Sequence, residues 1–249
     1  MLVISCLQTC LTEWTQGDIP VVHPYYKNSF QALSPSEDPS CTWNMEDVDF
    51  LVPMLKRTIG EWPREIASFY DVRLTENYSH PAPEYRLMDR LGIVNISPVA
   101  IRGMSGLAYL EALAMAEDDL HASPNQGVLL CFSDICTPYS HEYRPHRGAS
   151  FVLSTSEEKS DGITILDFGL DVSDDRWRRK LSECKDSYIL GDISLWPNEH
   201  QMGSDRIKDT ELPDTFFALE RIRTKLRPAE VLVVLGSEEH KGYIQYRVG

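Results

Sequence analysis

The chain lacks long hydrophobic runs and has few basic residues. Its longest apolar runs, Val128–Phe132 and Val231–Leu235, are far shorter than the roughly 20 residues that span a bilayer, so we expect no membrane insertion. The segment before Cys6 lacks a basic leader and a small-residue cleavage site, which predicts a cytoplasmic location.

Basic residues are few relative to acidic ones: the chain has 24 Lys and Arg against 38 Asp and Glu, and its net charge is −14. Because phosphate neutralisation needs a clustered basic surface, we exclude nucleic acid as a partner.

The cysteines and histidines show no metal-binding pattern. Neither a CxxC motif nor a spaced zinc set occurs. The six cysteines are Cys6, Cys10, Cys41, Cys131, Cys136 and Cys184. His141 and His146 lie five positions apart with Pro145 between them, which breaks the i,i+4 geometry of a helical zinc pair. We therefore expect reduced structural thiols, no metal site and no cofactor.

What the chain contains is the pattern of a globular α/β protein. Its 249 residues are 42% hydrophobic and 25% charged, which allows a substantial core. Strand patterns alternate with helical patterns. The predicted strands are Leu2–Leu7, Glu65–Leu74, Leu91–Ile101, Gly127–Ser133, Ala149–Thr155, Ile163–Leu170, one near Tyr188–Ile193, Glu230–Leu235 and Tyr243–Val248. The predicted helices are Met45–Ile59, Pro83–Arg90, Leu107–Leu120, Ser173–Cys184 and Leu212–Leu226.

Two halves of similar layout are visible in this order of elements. The polar stretch Ser154–Asp161 is the best boundary between them. We predict an N-terminal half at 1–155 and a C-terminal half at 156–249, and we expect a loop over Pro197 to Asp205.

The stretch from Leu91 to Leu120 has the layout of a nucleophile elbow. A strand pattern is followed by the tight turn Arg102-Gly103-Met104-Ser105-Gly106 and by a helix. Such a turn aims one side chain at the positive end of the helix dipole, where the pKa of a thiol would be lowered. The aimed position holds Met104, and a thioether cannot be acylated. Ser105 is the fallback nucleophile, although the run is GxSG and not the GxSxG of hydrolases, and a capping role is the simpler interpretation.

The elbow resembles that of the ketoacyl synthase III-like group of thiolase-fold condensing enzymes. Their run reads LG…(D/N)xxxxCSGxxxAL…A, which Ser105-Gly106, Ala112-Leu113 and Ala116 match, with Met104 at the cysteine position. Three further blocks carry the resemblance, namely Asp71–Ile93 with Pro81, Arg147–Leu153 and Leu212–Val248. The resemblance implies an α/β fold of thiolase-like layered αβαβα architecture, built from two similar halves with the second half shortened.

The departures from the family pattern lie at the chemistry. Active members use a histidine and an asparagine at the oxyanion and a glycine-rich loop beside it. Here the asparagine position aligns with Asp209, whose carboxylate cannot donate a hydrogen bond unless protonated. Only His200-Gln201 resembles the family's HQxN run. The loop falls on Gly236–Gly242, whose side chains we expect to crowd the site and to add two negative charges. Together these losses imply that the reaction itself is lost.

The resemblance therefore implies a non-catalytic subunit of a heterodimeric condensing enzyme in polyketide or fatty-acid-derived specialised metabolism. In this respect the chain is similar to the cysteine-less subunit of alkylquinolone-type synthases or to a chain-length factor. The expected partner is an active ketosynthase III-like subunit, which would itself take acyl-CoA or acyl carrier protein. We expect His80, Pro81 and Met104 at the partner's pocket or the interface.

His80 has the most specific of these implied roles. In the family, the residue before the proline of the pre-nucleophile block crosses the dimer interface and closes the partner's acyl pocket, and Pro81 marks that place. An exposed loop histidine is the alternative. Two other functions stay open, an acyltransferase that uses Ser105 with a rearranged His200 and a module that binds acyl-CoA or acyl carrier protein.

Overall fold

The structure is a computed structural model that describes residues 1–11, 50–73, 83–103, 106–134, 147–155, 160–184, 187–191, 195, 207–209, 213–224, 228–237 and 239–249. The described residues form ten strands and five helices. The strands are β1 (Leu2–Leu11), β2 (Ile66–Arg73), β3 (Pro98–Arg102), β4 (Gly127–Asp134), β5 (Arg147–Ser154), β6 (Ser160–Gly169), β7 (Tyr188–Gly191), β8 (Ile207–Asp209), β9 (Ala229–Gly236) and β10 (Lys241–Val248). The helices are α1 (Leu51–Glu61), α2 (Pro83–Leu91), α3 (Leu107–Ala122), α4 (Asp174–Glu183) and α5 (Asp214–Arg223).

The sheet is built twice from one strand order. The strands follow each other as β3-β2-β4-β5-β1-β6-β10-β9-β7-β8. From the centre outward the order is therefore β1-β5-β4-β2-β3 in the first half and, correspondingly, β6-β10-β9-β7-β8 in the second half. The helices repeat as well, because α1 follows β1 as α4 follows β6, and α3 follows β3 as α5 follows β8. The two similar halves implied by the resemblance are therefore present, and among the described residues α2 has no counterpart in the second half. The boundary at residue 155 stays a prediction.

Helices α3 and α5 lie between the two half-sheets. One buried cluster joins Leu113 of α3 and Phe216 of α5 to Leu130 of β4 in the first half-sheet and to Ile244 of β10 in the second. Separate clusters pack α1 and α2 on the outer face of the first half-sheet and α4 on the outer face of the second. The layers thus follow the order αβαβα, which confirms the predicted fold class.

Helix α3 extends two residues beyond its predicted end, and its acidic last turns have a structural partner. The Tyr70 hydroxyl donates a hydrogen bond to Asp119 Oδ2 at 2.7 Å. A carboxylate near the C-terminus of a helix opposes the helix dipole. This hydrogen bond offsets part of that cost and ties the end of α3 to β2.

The prediction of one strand over Leu91–Ile101 is wrong. Leu91 ends α2, and only Pro98–Arg102 form β3. Gly92 has φ +70, its N–H donates to Asp89 O at 3.1 Å, and the N–H of Ile93 donates to Met88 O at 3.0 Å. These two hydrogen bonds are a Schellman motif, which ends a helix at a glycine.

Other boundaries differ by smaller amounts. The first strand extends to Leu11 and not to Leu7, and β8 was not predicted. The predicted start of the first helix, Met45, lies outside the described residues, and α1 is described from Leu51. Ser173 caps α4, as predicted, since its Oγ accepts a hydrogen bond from the Arg176 N–H at 3.5 Å.

Within the described residues, every helix is too short or too polar to cross a bilayer.

Candidate functional site

The elbow lies between the end of β3 and the start of α3. Arg102 is the last residue of β3, and Leu107 is the first of α3. The Gly103 N–H donates to Arg73 O at 3.2 Å, which holds the turn against the end of β2. Gly106 is the N-cap, without a side-chain cap. The strand and the helix that flank the predicted elbow are present, whereas Met104 and Ser105 lie outside the described residues.

The turn between β9 and β10 packs directly on this elbow. A Cβ on Gly106 would lie 2.6 Å from Leu235 Cδ2, and a Cβ on Gly236 or Gly242 would lie 3.3 Å or 3.1 Å from Leu107 Cδ2. Such distances leave room for glycine only or force a neighbour to shift. The segment that corresponds to the family's glycine-rich loop therefore lies against the first turn of α3.

Two charged side chains of this turn, His240 and Lys241, pair with carboxylates at the start of α4. His240 Nδ1 lies 3.0 Å from Asp171 Oδ1, and Lys241 Nζ lies 2.6 Å from Asp174 Oδ1. Both partners lie on the segment that leads into α4 or on α4 itself. The expectation that these side chains crowd the elbow is wrong for His240 and Lys241. Glu238 lies outside the described residues.

Aromatic rings fill the space between the first turns of α3 and α5. The Tyr109 ring centroid lies 5.3 Å from that of Phe216 and 4.6 Å from that of Phe132. Phe216 also stacks on Phe132, at 5.1 Å. The Tyr109 and Tyr246 hydroxyls lie 2.5 Å apart, and burial raises the pKa of both groups. Both hydroxyls are therefore neutral at ordinary pH.

Arg147 joins the two halves at one end of this aromatic cluster. Its Nη1 donates to Asp214 Oδ2 at 2.6 Å, and its Nη2 donates to Asp134. Asp214 is the first residue of α5, and Asp134 is the last residue of β4. The sequence pattern predicted only a strand around Arg147 and not this bridge. A basic residue at the start of a buried strand was nevertheless a signal for an acidic partner, because a buried charge needs one.

A second ion network holds the elbow from the outer side of the sheet. Asp71 and Arg73 are fully buried on β2 and pair at 2.9 Å. Arg102 Nη2 binds Glu84 Oε2 at 2.7 Å, and its Nη1 donates to Asp71 O at 2.6 Å. The network therefore fixes the last residue of β3, just before the elbow. Sequence analysis missed it, although two charges at alternate positions of an apolar strand are a signal for paired burial.

The described cysteines are free thiols, as predicted. Burial raises the pKa of the Cys10 thiol to about 12, and burial also raises the pKa values of Cys131 and Cys184. None of these three is a thiolate at neutral pH, so none of them is an activated nucleophile. Cys41 and Cys136 lie outside the described residues.

Of the remaining predicted site residues, Asp209 is the one that lies within the described residues. Asp209 ends β8, and its backbone lies opposite Gly191 at the end of β7. His80, Pro81 and His200 lie outside the described residues. In the parts of the chain with described positions, no group of three or more His, Cys, Asp or Glu side chains could hold a metal ion.

No protein-family model matches the chain, and no curated protein matches it. Solved structures do match. A tetronic acid condensing enzyme has a TM-score of 0.67 and 13% identity over 100% of both chains. The 3-oxoacyl-(acyl carrier protein) synthase III of Pseudomonas aeruginosa PAO1 has a TM-score of 0.65 and 14% identity over 99% of this chain and 98% of its own. A type III polyketide synthase domain from Dictyostelium has a TM-score of 0.60 and 12% identity over 89% and 78%. The chain has the thiolase-type fold of these condensing enzymes; identities this low show the fold alone.

Proposed function

We propose that this chain is a non-catalytic, ketoacyl synthase III-like subunit. It pairs with an active ketosynthase or acyltransferase subunit in the cytoplasm and shapes the acyl pocket of that partner. The pathway makes a specialised metabolite of polyketide or fatty-acid origin. Acyl-CoA or acyl carrier protein binds to the partner subunit and not to this chain, because this chain's net charge of −14 disfavours the binding of an acidic carrier.

The observation that carries the proposal is the residue at the elbow. The connection from β3 to α3 lies between a strand and a helix, as a nucleophile elbow does, and the resemblance matches Met104 to the position where those enzymes have cysteine. The described residues that border the turn are Gly103, Gly106, Leu107, Leu235 and Gly236. None of these described residues carries a nucleophile or a base, which supports the loss of the reaction.

The packing behind the elbow supports the same function. Phe132, Phe151 and Phe216 contact each other between the two central helices, and all three are at most 2% exposed. Large side chains that are this deeply buried belong to a close-packed interior. In the proposed function the acyl chain is held in the partner's pocket and not in this part of the chain.

The sheet also has an edge on which a partner can pair. Strand β3 is the first in the sheet order, and among the described residues it hydrogen-bonds only with β2. Thiolase-fold enzymes resembling this chain pair through the sheets of their nucleophile halves. An open β3 edge supports that mode of pairing here.

Acyl transfer to the purified chain tests the loss of chemistry. The chain is incubated with a series of short-chain and medium-chain acyl-CoA thioesters and then analysed by intact-protein mass spectrometry. We expect no adduct on the wild type. Met104→Cys, which restores a thiol at the start of α3, is the positive control. An adduct that disappears in Ser105→Ala would instead support the acyltransferase function and refute the non-catalytic one.

Co-expression with the proteins encoded beside this chain tests the partner. We expect a 1:1 complex with a ketosynthase III-like protein that retains its cysteine. In that complex Met104→Ala should turn over at a rate comparable to the wild type. A loss of several orders of magnitude, with the complex intact, would give Met104 a part in the chemistry.

A further inference from the structure

Helix α3 has one flank that the fold leaves open. The first half-sheet covers one side of α3, β10 of the second half-sheet covers another, and α5 lies beside its first turn. The exposed residues on the remaining side are Glu111, Met115 and Asp118, at the i, i+4 and i+7 positions of a single stripe. Met115 is 43% exposed, which is unusual for a large apolar side chain on a central helix.

This open flank lies on the same side of the molecule as the edge strand β3. Phe216 of α5 packs against Phe132 of β4 and Phe151 of β5, on the side of α3 away from β3. The Tyr70 hydroxyl binds Asp119, so the last turns of α3 lie beneath β2. Tyr70 is in register with Val99 of β3, which places those turns at the level of the edge strand.

The surface formed by this flank and this edge is apolar in part and acidic. Met115 is the exposed apolar side chain of the flank, between Glu111 and Asp118. We call Glu111, Met115 and Asp118, together with the open edge of β3, the β3–α3 face. An open sheet edge beside an exposed Met side chain is typical of a protein interface.

The acidic residues of the β3–α3 face set the charge of what can bind there. Within the described part of the chain, neither Glu111 nor Asp118 forms an ion pair. A two-fold interface brings the same patch of both copies together, so two copies of this chain would place carboxylates opposite carboxylates. Like charges across an interface are unfavourable, whereas lysine or arginine opposite these carboxylates is favourable.

We propose that the β3–α3 face binds a partner subunit that presents lysine or arginine opposite Glu111 and Asp118, and that these two residues prevent pairing with a second copy of this chain. The proposal rests on the proposed function, in which that partner is the active subunit. Met115 and the open edge of β3 supply affinity, and the two carboxylates supply the choice between a copy and a partner.

A charge-reversed copy of the chain is the probe. Wild type, the variant Glu111→Lys/Asp118→Lys and their 1:1 mixture are compared by sedimentation velocity. We expect a 1:1 dimer in the mixture at least about tenfold tighter than self-association of the wild type. Its affinity should fall as salt rises, because charges at the rim of an interface are screened. The matched control is Asp175→Lys/Glu239→Lys, which reverses two exposed charges in the second half. A face-variant mixture that associates no more than the control mixture overturns the proposal.

A second variant removes charge without reversing it. Glu111→Gln/Asp118→Asn should self-associate more strongly than the wild type, because only the repulsion is lost. Self-association no stronger than that of the wild type overturns the proposal, as does a wild-type dimer as tight as the mixture. Failure of the proposed function would appear instead as an acyl adduct on the isolated chain, which these sedimentation measurements do not involve.

Discussion

The hydroxyl oxygens of Tyr109 and Tyr246 lie 2.5 Å apart, fully buried, and join the first turn of α3 to strand β10. Tyr109 belongs to the helix that follows the elbow, and Tyr246 belongs to the second half of the chain. Each hydroxyl has the other as its partner in a region otherwise filled by phenylalanine rings. This neutral hydrogen bond is therefore one of the contacts that join the two halves behind the elbow.

Removal of one hydroxyl should cost more than removal of both. Tyr109→Phe leaves the Tyr246 hydroxyl buried without its partner, and we expect a loss of about 1–3 kcal/mol in the free energy of unfolding. Tyr109→Phe/Tyr246→Phe keeps both rings and leaves no orphaned hydroxyl, so it should recover most of that loss. Urea denaturation of the wild type, both single variants and the double variant measures this coupling. Additive losses would show that the two hydroxyls do not depend on each other.

Sequence patterns predicted most of the helices and strands because their apolar periodicity repeats over many residues. The helix after the elbow begins at Leu107 as predicted, and Gly127–Asp134 extends the predicted strand by one residue. The pattern failed around Gly92, since the apolar run Leu91-Gly92-Ile93, which ends a helix, resembles the start of the strand that begins only at Pro98. A glycine directly after a helical period was the signal for the helix end.

The candidate site was less accessible to sequence analysis than the fold. The elbow's position follows from local pattern, and the structure confirms the strand before it and the helix after it. The partners of Arg147 and Arg102 come from other elements: Asp214 lies 67 positions from Arg147, and Asp71 lies 31 positions from Arg102. Pairing over such separations depends on the layer order and not on local periodicity, so single-sequence patterns did not predict it.

Burial of Cys10 predicts a loss of stability at alkaline pH. The pKa of its thiol is raised from 9.0 to about 12, so the unfolded state releases this proton at a lower pH than the folded state. The stabilisation is fully present below pH 9 and is lost as pH rises toward 12. Within that window this group should lower the free energy of unfolding by about 1.4 kcal/mol per pH unit. Denaturation of wild type and Cys10→Ala between pH 8 and pH 10 measures the difference in slope, and equal slopes would contradict the prediction.

His80 should set the length of the acyl chain that the assembled complex accepts. In the resembling enzymes the residue before this proline closes the partner's pocket, so His80→Ala should lengthen the accepted chain and His80→Trp should shorten it. The product profile of the complex, measured by mass spectrometry with acyl-CoA substrates of graded length, checks both directions. His240→Ala, an exposed histidine that contacts Asp171, is the control. An unchanged profile for both His80 variants in an intact complex would remove His80 from the pocket.

Gly236 ends β9 where the chain turns against α3, and no other residue type should fit there. Its φ is +113, and a Cβ would lie 2.0 Å from the backbone oxygen of His240. Backbone strain of this kind costs on the order of 1–3 kcal/mol, so Gly236→Ala should lower the free energy of unfolding by at least that amount. Gly60→Ala is the matched control, because Gly60 lies in α1 with nothing within 4 Å of its Cβ position. It should raise stability by roughly 0.5–1 kcal/mol through helix propensity. If thermal and urea denaturation gave both variants the same sign, the turn would not need glycine, and its close packing on the elbow would have to be abandoned.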